Sequence, residues 1–329
     1  MQPALSFDIM PKRFHHNPNQ PELFTLTRDG STKVRDIYVP TDEVRMKHEA
    51  MLRRLHTLEI PFPHAHGGLP GFGVIDNVRP HQQSNYFYKL DIKNAFPSVD
   101  HEWLQRTVHD MLVERRVRKS DIRDIDHFVE ADALVDGCPG LPLGYPASPF
   151  LFNIYCRPTD LAIGAGLALR KDFGYQVVRY SRWLDDLTFS SLQPIDAGHR
   201  RILREWVHMT PGFEINHRKS QRHSLGQGPV TITGISLYPD RRMAPSPELL
   251  EKVRVQFGQM AELIAAGIEL TPQEIGEFNG YHSVLHMAGD PLKSRSATVR
   301  LLAKWYNRLA LQLPDMESAA PGEDGGSTD

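Results

Sequence analysis

An α+β fold is what this sequence predicts, on three observations. Candidate strands and helices alternate, but without the strict strand–helix–strand rhythm of a doubly wound parallel sheet. Two short alternating runs, 176–184 and 187–190, flank an Asp-Asp pair and read as a tight hairpin, which implies antiparallel pairing. The 25 Pro and 24 Gly punctuate the chain into many short elements rather than long bundles.

Each element has a local reason. A strand over 33–39 precedes Pro40 and Thr41, and Thr41 is placed to cap a helix from Asp42 to about residue 58, with Asp42 and Glu43 in its first turn. A Pro/His/Gly-rich loop follows over 61–73. A strand over 86–92 leads to two helices, about 102–117 and 121–134, with Asp100 and Ser120 as their expected caps. The Gly/Pro loop 137–146 opens into a helix over about 147–169. After the hairpin come a helix over about 197–207, a strand region over 230–238, and helical signal from Ser246 onward. The tail after Leu313 is rich in Gly, Ser and acids and reads as disordered.

Composition narrows the class. A chain of 329 residues with 40% hydrophobic and 24% charged residues can bury a substantial core and is neither collagenous nor disordered throughout. Its two cysteines, Cys138 and Cys156, cannot build a disulfide framework and fit a reducing, cytoplasmic compartment. The first residues, MQPALSFDIMPKRFHH, lack the basic-then-apolar layout of a signal peptide, and no apolar run is long enough to span a bilayer. A net charge of −2 argues at first against nucleic acid, but five of the 40 acids lie in the segment Asp315 to Asp329, which holds no base. The remaining body has 35 acids against 38 Lys and Arg, so local patches rather than the total decide.

The chemistry-bearing residues are carboxylates. Asp185 and Asp186 sit at the tip of the expected hairpin, where Asp alone would mean only a polar turn. Asp91 changes the reading, because it ends an apolar strand, Tyr88-Lys89-Leu90-Asp91-Ile92, where a carboxylate emerges at a sheet edge. Three carboxylates on neighbouring strand ends can hold two Mg²⁺ ions for in-line displacement at phosphorus, a reaction that needs oxygen ligands and no nucleophilic side chain.

Three segments then carry a family resemblance. Leu90-Asp91 to Val99, Gly140-Leu141-Pro142-Leu143-Gly144-Tyr145-Pro146-Ala147-Ser148-Pro149, and Arg182 to Ser190 resemble the palm motifs A, B and C of reverse transcriptases, in that order. The nearest likeness is to the bacterial retron type: Asn77-Val78-Arg79-Pro80-His81 resembles its N-A-x-x-H segment, Ile232-Thr233-Gly234 its V-T-G segment, and His66-Gly67 to Arg79 the fingers stretch shared with group II intron enzymes. The resemblance covers about residues 30–310 and implies a right-hand polymerase with fingers over 1–85, a palm with an antiparallel sheet flanked by helices over 86–240, a helical thumb over 241–314 and an acidic tail over 315–329. It implies Asp91, Asp185 and Asp186 as the catalytic, metal-holding residues. Phe96 matches the aromatic that excludes a ribose 2′-hydroxyl, which predicts a DNA product. Leu143 stands where the family pattern has Gln, and Trp183 where it has Tyr; neither position touches the metal carboxylates.

Other residues have a functional and a plain reading side by side. Lys33 and Arg35 lie where fingers residues meet the triphosphate, or are solvated charges on an edge strand. Gly144 lets backbone approach a nucleotide, or simply turns the chain before a helix. Lys219 resembles the motif D lysine that neutralises pyrophosphate, or is a loop charge. Bases cluster at Arg115, Arg116, Arg118, Lys119 and Arg123, at Arg218, Lys219 and Arg222, and along Arg300, Lys304 and Arg308, where the spacing of four leaves a separate apolar stripe. His64 and His66, with His81 nearby, are accompanied by no Cys pair or further ligand at fixed spacing, so zinc is disfavoured and His81 is expected to order local structure.

The resemblance therefore implies an RNA-directed DNA polymerase that extends a primer on an RNA template with dNTPs. It further implies a cognate structured noncoding RNA as template and primer source, an RNA-linked DNA product, phage defence with a separate effector protein, and no room for a fused RNase H domain. Two rivals stay open: another defence-associated reverse transcriptase of the abortive-infection kind, and a catalytically silent RNA-binding scaffold with the polymerase shape.

Overall fold

Residues 22–28, 31–135, 137–169, 173–174, 176–268, 270, 272–286 and 290–311 are described by the computed structural model. The expected disordered tail from Asp315 lies outside these residues. The chain divides into two compact units, 1–228 and 229–329. The α+β expectation holds: helices combine with sheets in which, among the described residues, every strand pair is antiparallel.

The first unit begins with the β-hairpin β1 (Glu22–Arg28) and β2 (Ser31–Ile37), of which β1 has no counterpart in the sequence reading. Helix α1 (Asp42–His56) starts as expected, with Val44 N donating to the Thr41 hydroxyl at 3.4 Å. A short helix α2 (Val74–Val78) then precedes β3 (Tyr86–Asp91). Helix α3 (His101–Glu114) is capped by Asp100, whose carboxylate accepts from Trp103 N at 2.7 Å. The Ser120 cap is corrected: α4 (Lys119–Ala131) begins before Ser120, with Arg118 at the cap position and tied to Asp121 by an ion pair at 2.8 Å. Helix α5 (Ser148–Leu169) follows the Gly/Pro loop, and α6 (Ala197–Val207) is capped by Asp196.

The central sheet has strand order β4 (Val178–Trp183), β5 (Asp186–Ser191), β3, β6 (Gln221–Ser224). Helix α5 packs on β4, and α3 and α6 pack on α5. Tyr155, Phe152, Phe189, Leu90 and Leu104, all essentially without solvent exposure, form the middle of this core. Burial of such side chains is the main driving force here, at about 1.5–3 kcal/mol each.

A turn behind the sheet needs glycine. Gly212 has φ +73°, and a Cβ there would lie 2.0 Å from the Ser98 carbonyl oxygen. Gly212→Ala is expected to destabilise the fold by roughly 2–4 kcal/mol through left-handed strain and backbone collision. Urea unfolding checks it, and a shift under about 0.5 kcal/mol, the ordinary range of surface changes, would contradict it.

In the second unit the expected strand region over 230–238 is a hairpin. It comprises β7 (Val230–Ile232) and β8 (Ile235–Leu237), joined by Thr233 and Gly234 with φ +46° and +82°. Positive φ at both central residues is the two-residue turn that matches strand twist, and the Thr-Gly pair supplies it. Strand β9 (Met243–Pro245) completes the sheet, and α7 (Pro247–Ala265), α8 (Pro272–His286) and α9 (Ala297–Ala310) form a separate core around Phe257 and Phe278. On α9, Leu302 and Leu309 are buried while Arg300, Lys304 and Arg308 lie outside the buried set. No helix among the described residues is long and apolar enough to cross a membrane.

Candidate active site at the ends of β3 and β5

The β3–β5 ladder places Asp91 directly opposite Asp186. Side chains that face each other across an antiparallel pair share one face of the sheet, so Lys89, Asp91, Asp186 and Thr188 line the same side. Asp185 is not in a strand: the register Trp183↔Asp186 leaves Leu184 and Asp185 as the two-residue turn of the β4–β5 hairpin. Ile92 N donates to the Asp185 carbonyl at 3.1 Å, stitching this turn to the end of β3. The three carboxylates singled out from sequence thus come from one corner of one sheet, although Asp91 lies far from the other two along the chain.

Charge crowds here. Asp91 is buried and Asp186 exposed. The surrounding protein, then the charge of Asp185, push the Asp186 carboxyl up to about 6, with Lys89 and Lys219 opposing and Asp91 adding to the rise. Because the same side chain meets solvent, water tempers the effect of burial, and the convergence of carboxylates carries the upward direction. Burial pushes the Lys89 ammonium down, while Asp186 resists.

Lys219 reaches this corner through backbone pairing. Lys93 N donates to the Glu214 carbonyl and Asn216 N to the Asp91 carbonyl, both at 2.8 Å, so the segment after Gly212 runs beside the end of β3. The turn after Asn216 then delivers Lys219 Nζ to Asp91 Oδ1 at 2.5 Å. The sequence suggested a lysine for phosphate; the structure pairs it with a carboxylate.

The donor set suits a hard divalent cation in its chemistry, being oxygen alone. Among the described residues, however, no three His, Cys, Asp or Glu side chains are disposed around one ion. Asp91 is engaged through Oδ1 by the Lys219 ammonium instead.

The remaining expected residues fall around this corner unevenly. Phe96 is buried and stacked on Phe152, with ring centroids 4.8 Å apart and planes at 13°. Its carbonyl accepts from Leu141 N at 2.9 Å, joining the segment after β3 to the loop before α5. In that loop the Leu143 carbonyl accepts from Tyr38 N at 2.8 Å, and Gly144 has φ +103° with room for no Cβ, which would meet the Tyr38 carbonyl oxygen at 2.5 Å. The close approach predicted at Gly144 is therefore to the protein's own backbone. Lys33 and Arg35 belong to β2 by backbone, and their side chains lie outside the described residues.

Two polar networks around the site, one on each face of the sheet, escaped sequence reasoning in detail. Arg182 is fully buried on the far side of the hairpin and engages Asp160, Asn153 and the Leu184 carbonyl. His81, also fully buried, has its ring nitrogens 2.6 Å from the Ser190 hydroxyl and 2.7 Å from that of Ser181. Asn77 accepts from Ser181 through its carbonyl at 3.1 Å, so the segment 77–81 is bonded to β4 and β5 on the face that carries Asp186. A buried His or Arg beside small hydroxyl residues was the available signal, but without the fold nothing says which hydroxyls meet it.

His81 makes stability pH-dependent. Burial, then the charges of His66 and Arg179, push its ring down to about 3. A folded value below the unfolded one means the unfolded chain binds the proton more tightly, so this stability is present above about pH 6.5 and is lost as pH falls towards 3. Between pH 6.5 and 4.5 the expected loss from this group is about 2 kcal/mol. Urea unfolding at both pH values should show a smaller difference in His81→Asn than in wild type; an equal difference would refute the assignment.

With this geometry in place, comparison with known proteins identifies the class. The model of the family "Reverse transcriptase (RNA-dependent DNA polymerase)" matches residues 25–237, and the chain belongs to that family. Its relatives are of the retron type. It is 28% identical over 217 residues to the Retron Mx65 reverse transcriptase of Myxococcus xanthus, covering 62% of this chain and 48% of that one. It is 22% identical over 275 residues to the Retron Ec73 reverse transcriptase of Escherichia coli, covering 80% and 82%. To the Retron Mx162 reverse transcriptase of Myxococcus xanthus it is 26% identical over 325 residues, covering 89% and 61%. The chain thus spans about half the length of the first of these relatives. Among solved structures, apo telomerase from Candida tropicalis has a TM-score of 0.49 at 12% identity, covering 89% of this chain and 57% of that one.

Proposed function

We propose that this protein is an RNA-directed DNA polymerase of the retron type, which extends a primer on an RNA template using dNTPs. The observation that supports this most is the pairing of Asp91 with Asp186 across β3 and β5, with Asp185 in the adjoining turn, inside the segment matched by the reverse transcriptase family. Two Mg²⁺ ions on these carboxylates would supply a sharpened 3′-hydroxyl nucleophile and neutralisation of the triphosphate and leaving pyrophosphate.

The chain's own residues have distinct tasks in this reading. Asp91, Asp185 and Asp186 provide the oxygen ligands. Lys219, once it leaves Asp91, has a free ammonium to offer the leaving phosphates. Phe96 excludes the ribose 2′-hydroxyl and so selects deoxynucleotides. Fingers over 1–85, palm over 86–240 and thumb over 241–314 are the division of labour we assign, with Arg300, Lys304 and Arg308 following a phosphate backbone.

From the retron resemblance we further propose a cognate structured noncoding RNA as template and primer source, an RNA-linked DNA product, and cytoplasmic phage defence with a separate effector protein. Primer extension with purified protein, an RNA template, dNTPs and Mg²⁺ tests the polymerase. Sequencing the DNA made in cells tests the retron reading. A copied segment of an RNA encoded beside this gene supports it, and untemplated sequence favours a different defence-associated reverse transcriptase.

A further inference from the structure

The paired aspartates sit on a backbone that resists its own shape. Leu184, the first residue of the β4–β5 turn, has φ +51°. That left-handed conformation suits glycine and is strained for a branched-chain residue. A strained turn persists only if its surroundings impose it.

Those surroundings converge on Arg182. Its guanidinium is the largest fully buried side chain among the described residues. Nε donates to both Asp160 oxygens at 3.1 Å and Nη2 to Asp160 Oδ2 at 2.6 Å. Nη1 donates to Asn153 Oδ1 at 2.9 Å and to the Leu184 carbonyl at 3.2 Å. Asp160 and Asn153 both stand on α5, so one planar cation ties that helix to the carbonyl of the strained residue. Asp160 is itself held by the Tyr180 hydroxyl at 2.6 Å.

A second grip comes from the loop before α2. Arg182 N donates to the His64 carbonyl at 2.7 Å, and His66 N donates to the Arg182 carbonyl at 2.9 Å. Asn153 Nδ2 donates to the Gly67 carbonyl at 2.8 Å. Gly67 lies so close that a Cβ there would meet the Trp183 ring at 2.9 Å and Leu184 N at 3.0 Å. A buried ion pair is a poor source of net stability, since desolvation offsets its attraction. Its geometric value lies elsewhere: five donors in a fixed plane define where the Leu184 carbonyl must be.

We propose that Arg182, acting through Asp160 and Asn153, is a positioning residue that holds the Leu184–Asp185 turn in its left-handed form and thereby aims Asp185 and Asp186. The proposal deepens the polymerase reading and rests on it for its catalytic consequence, but the clamp itself can be read without any reaction.

The test uses the full chain. Arg182→Met alone strands the Asp160 carboxylate and can unfold the protein, so the informative variant is Arg182→Met with Asp160→Asn, which removes both charges at similar volume. Expected results are a retained cooperative unfolding transition, a fall in kcat of at least about thirtyfold with KM for dNTP within about threefold, and at least tenfold faster amide exchange over 184–187 and at Ile92. Adding Leu184→Gly to this variant supplies the residue that adopts positive φ without help, and should raise its kcat at least fivefold while not raising that of the wild type. A general packing defect would not be rescued by deleting a side chain at the turn. Wild-type exchange in the folded double variant, or no gain from Leu184→Gly, overturns the clamp. Absence of primer extension by the wild type sinks the polymerase reading instead, and leaves the exchange result to decide the clamp.

Discussion

Exchanging Asp185 and Asp186 for Ala is expected to lower RNA-templated DNA synthesis by roughly a thousandfold or more, the equivalent of about 4 kcal/mol of transition-state stabilisation. Asp91→Ala should do the same, because Asp91 and Asp186 are ladder partners and neither can hold an ion well alone. The fold should survive. Asp186 binds its proton more tightly in the folded chain than in the unfolded one. Its ionised form at neutral pH is therefore a burden on the metal-free fold, and Asp186→Asn removes that burden. The prediction joins two readouts that usually move together: synthesis collapses while the melting temperature of metal-free protein holds or rises. Primer extension alongside thermal unfolding checks both. Equal incorporation by wild type and the double variant would end the polymerase reading; a sharp drop in melting temperature for Asp186→Asn would end the account of its environment.

Phe96→Ala is expected to change both nucleotide choice and stability. Phe96 stacks on Phe152 and is buried, so truncation should cost about 3 kcal/mol by loss of burial and creation of a cavity. Removing the ring also removes the obstacle to a 2′-hydroxyl in the proposed nucleotide site. Ribonucleotide incorporation relative to deoxynucleotide should rise roughly tenfold or more, which is about 1.4 kcal/mol of lost discrimination. The ratio is measured in one enzyme preparation, so any unfolded fraction cancels. An unchanged ratio would show that Phe96 serves the core and not selection. Its stacking on Phe152 of α5 makes that a sharp alternative, because the ring in this structure already has a packing partner.

Much of the architecture was legible because its signals are local. Thr41 and Asp100 end loops with a side chain that can accept from the next turn, and each caps a helix in the structure. The alternating runs around Asp185 gave the hairpin, although Asp186 proves to be the first residue of β5 rather than part of the turn. Local reasoning failed where context overrode it. Ser120 has the chemistry of a cap, but α4 starts earlier. The run 230–238 reads as a strand region without its turn, and the structure supplies it: Thr233 and Gly234 adopt positive φ and fold the run into a hairpin.

The site divides in the same way. Asp91, Asp185 and Asp186 were singled out from sequence because a carboxylate at the end of an apolar strand, in a fixed order of motifs, is conspicuous, and the structure brings them to one corner of the sheet. Lys219 was found for one role and observed in another: its contact with Asp91 depends on Asn216 pairing beside β3, a long-range event that no local pattern encodes. Arg182 was read only as part of a motif, since a lone arginine in a strand says nothing about burial.

By itself, then, the sequence determined the α+β class and the hairpin and singled out the three carboxylates, because periodicity, capping and motif order act over a few residues. Only the tertiary structure decided that β5 lies between β4 and β3, that Asp91 faces Asp186, that Lys219 holds Asp91, and that a buried guanidinium grips the turn beneath the aspartates. Strand order and buried ion pairs depend on which distant segments exclude water together, and that is a property of the whole packed chain.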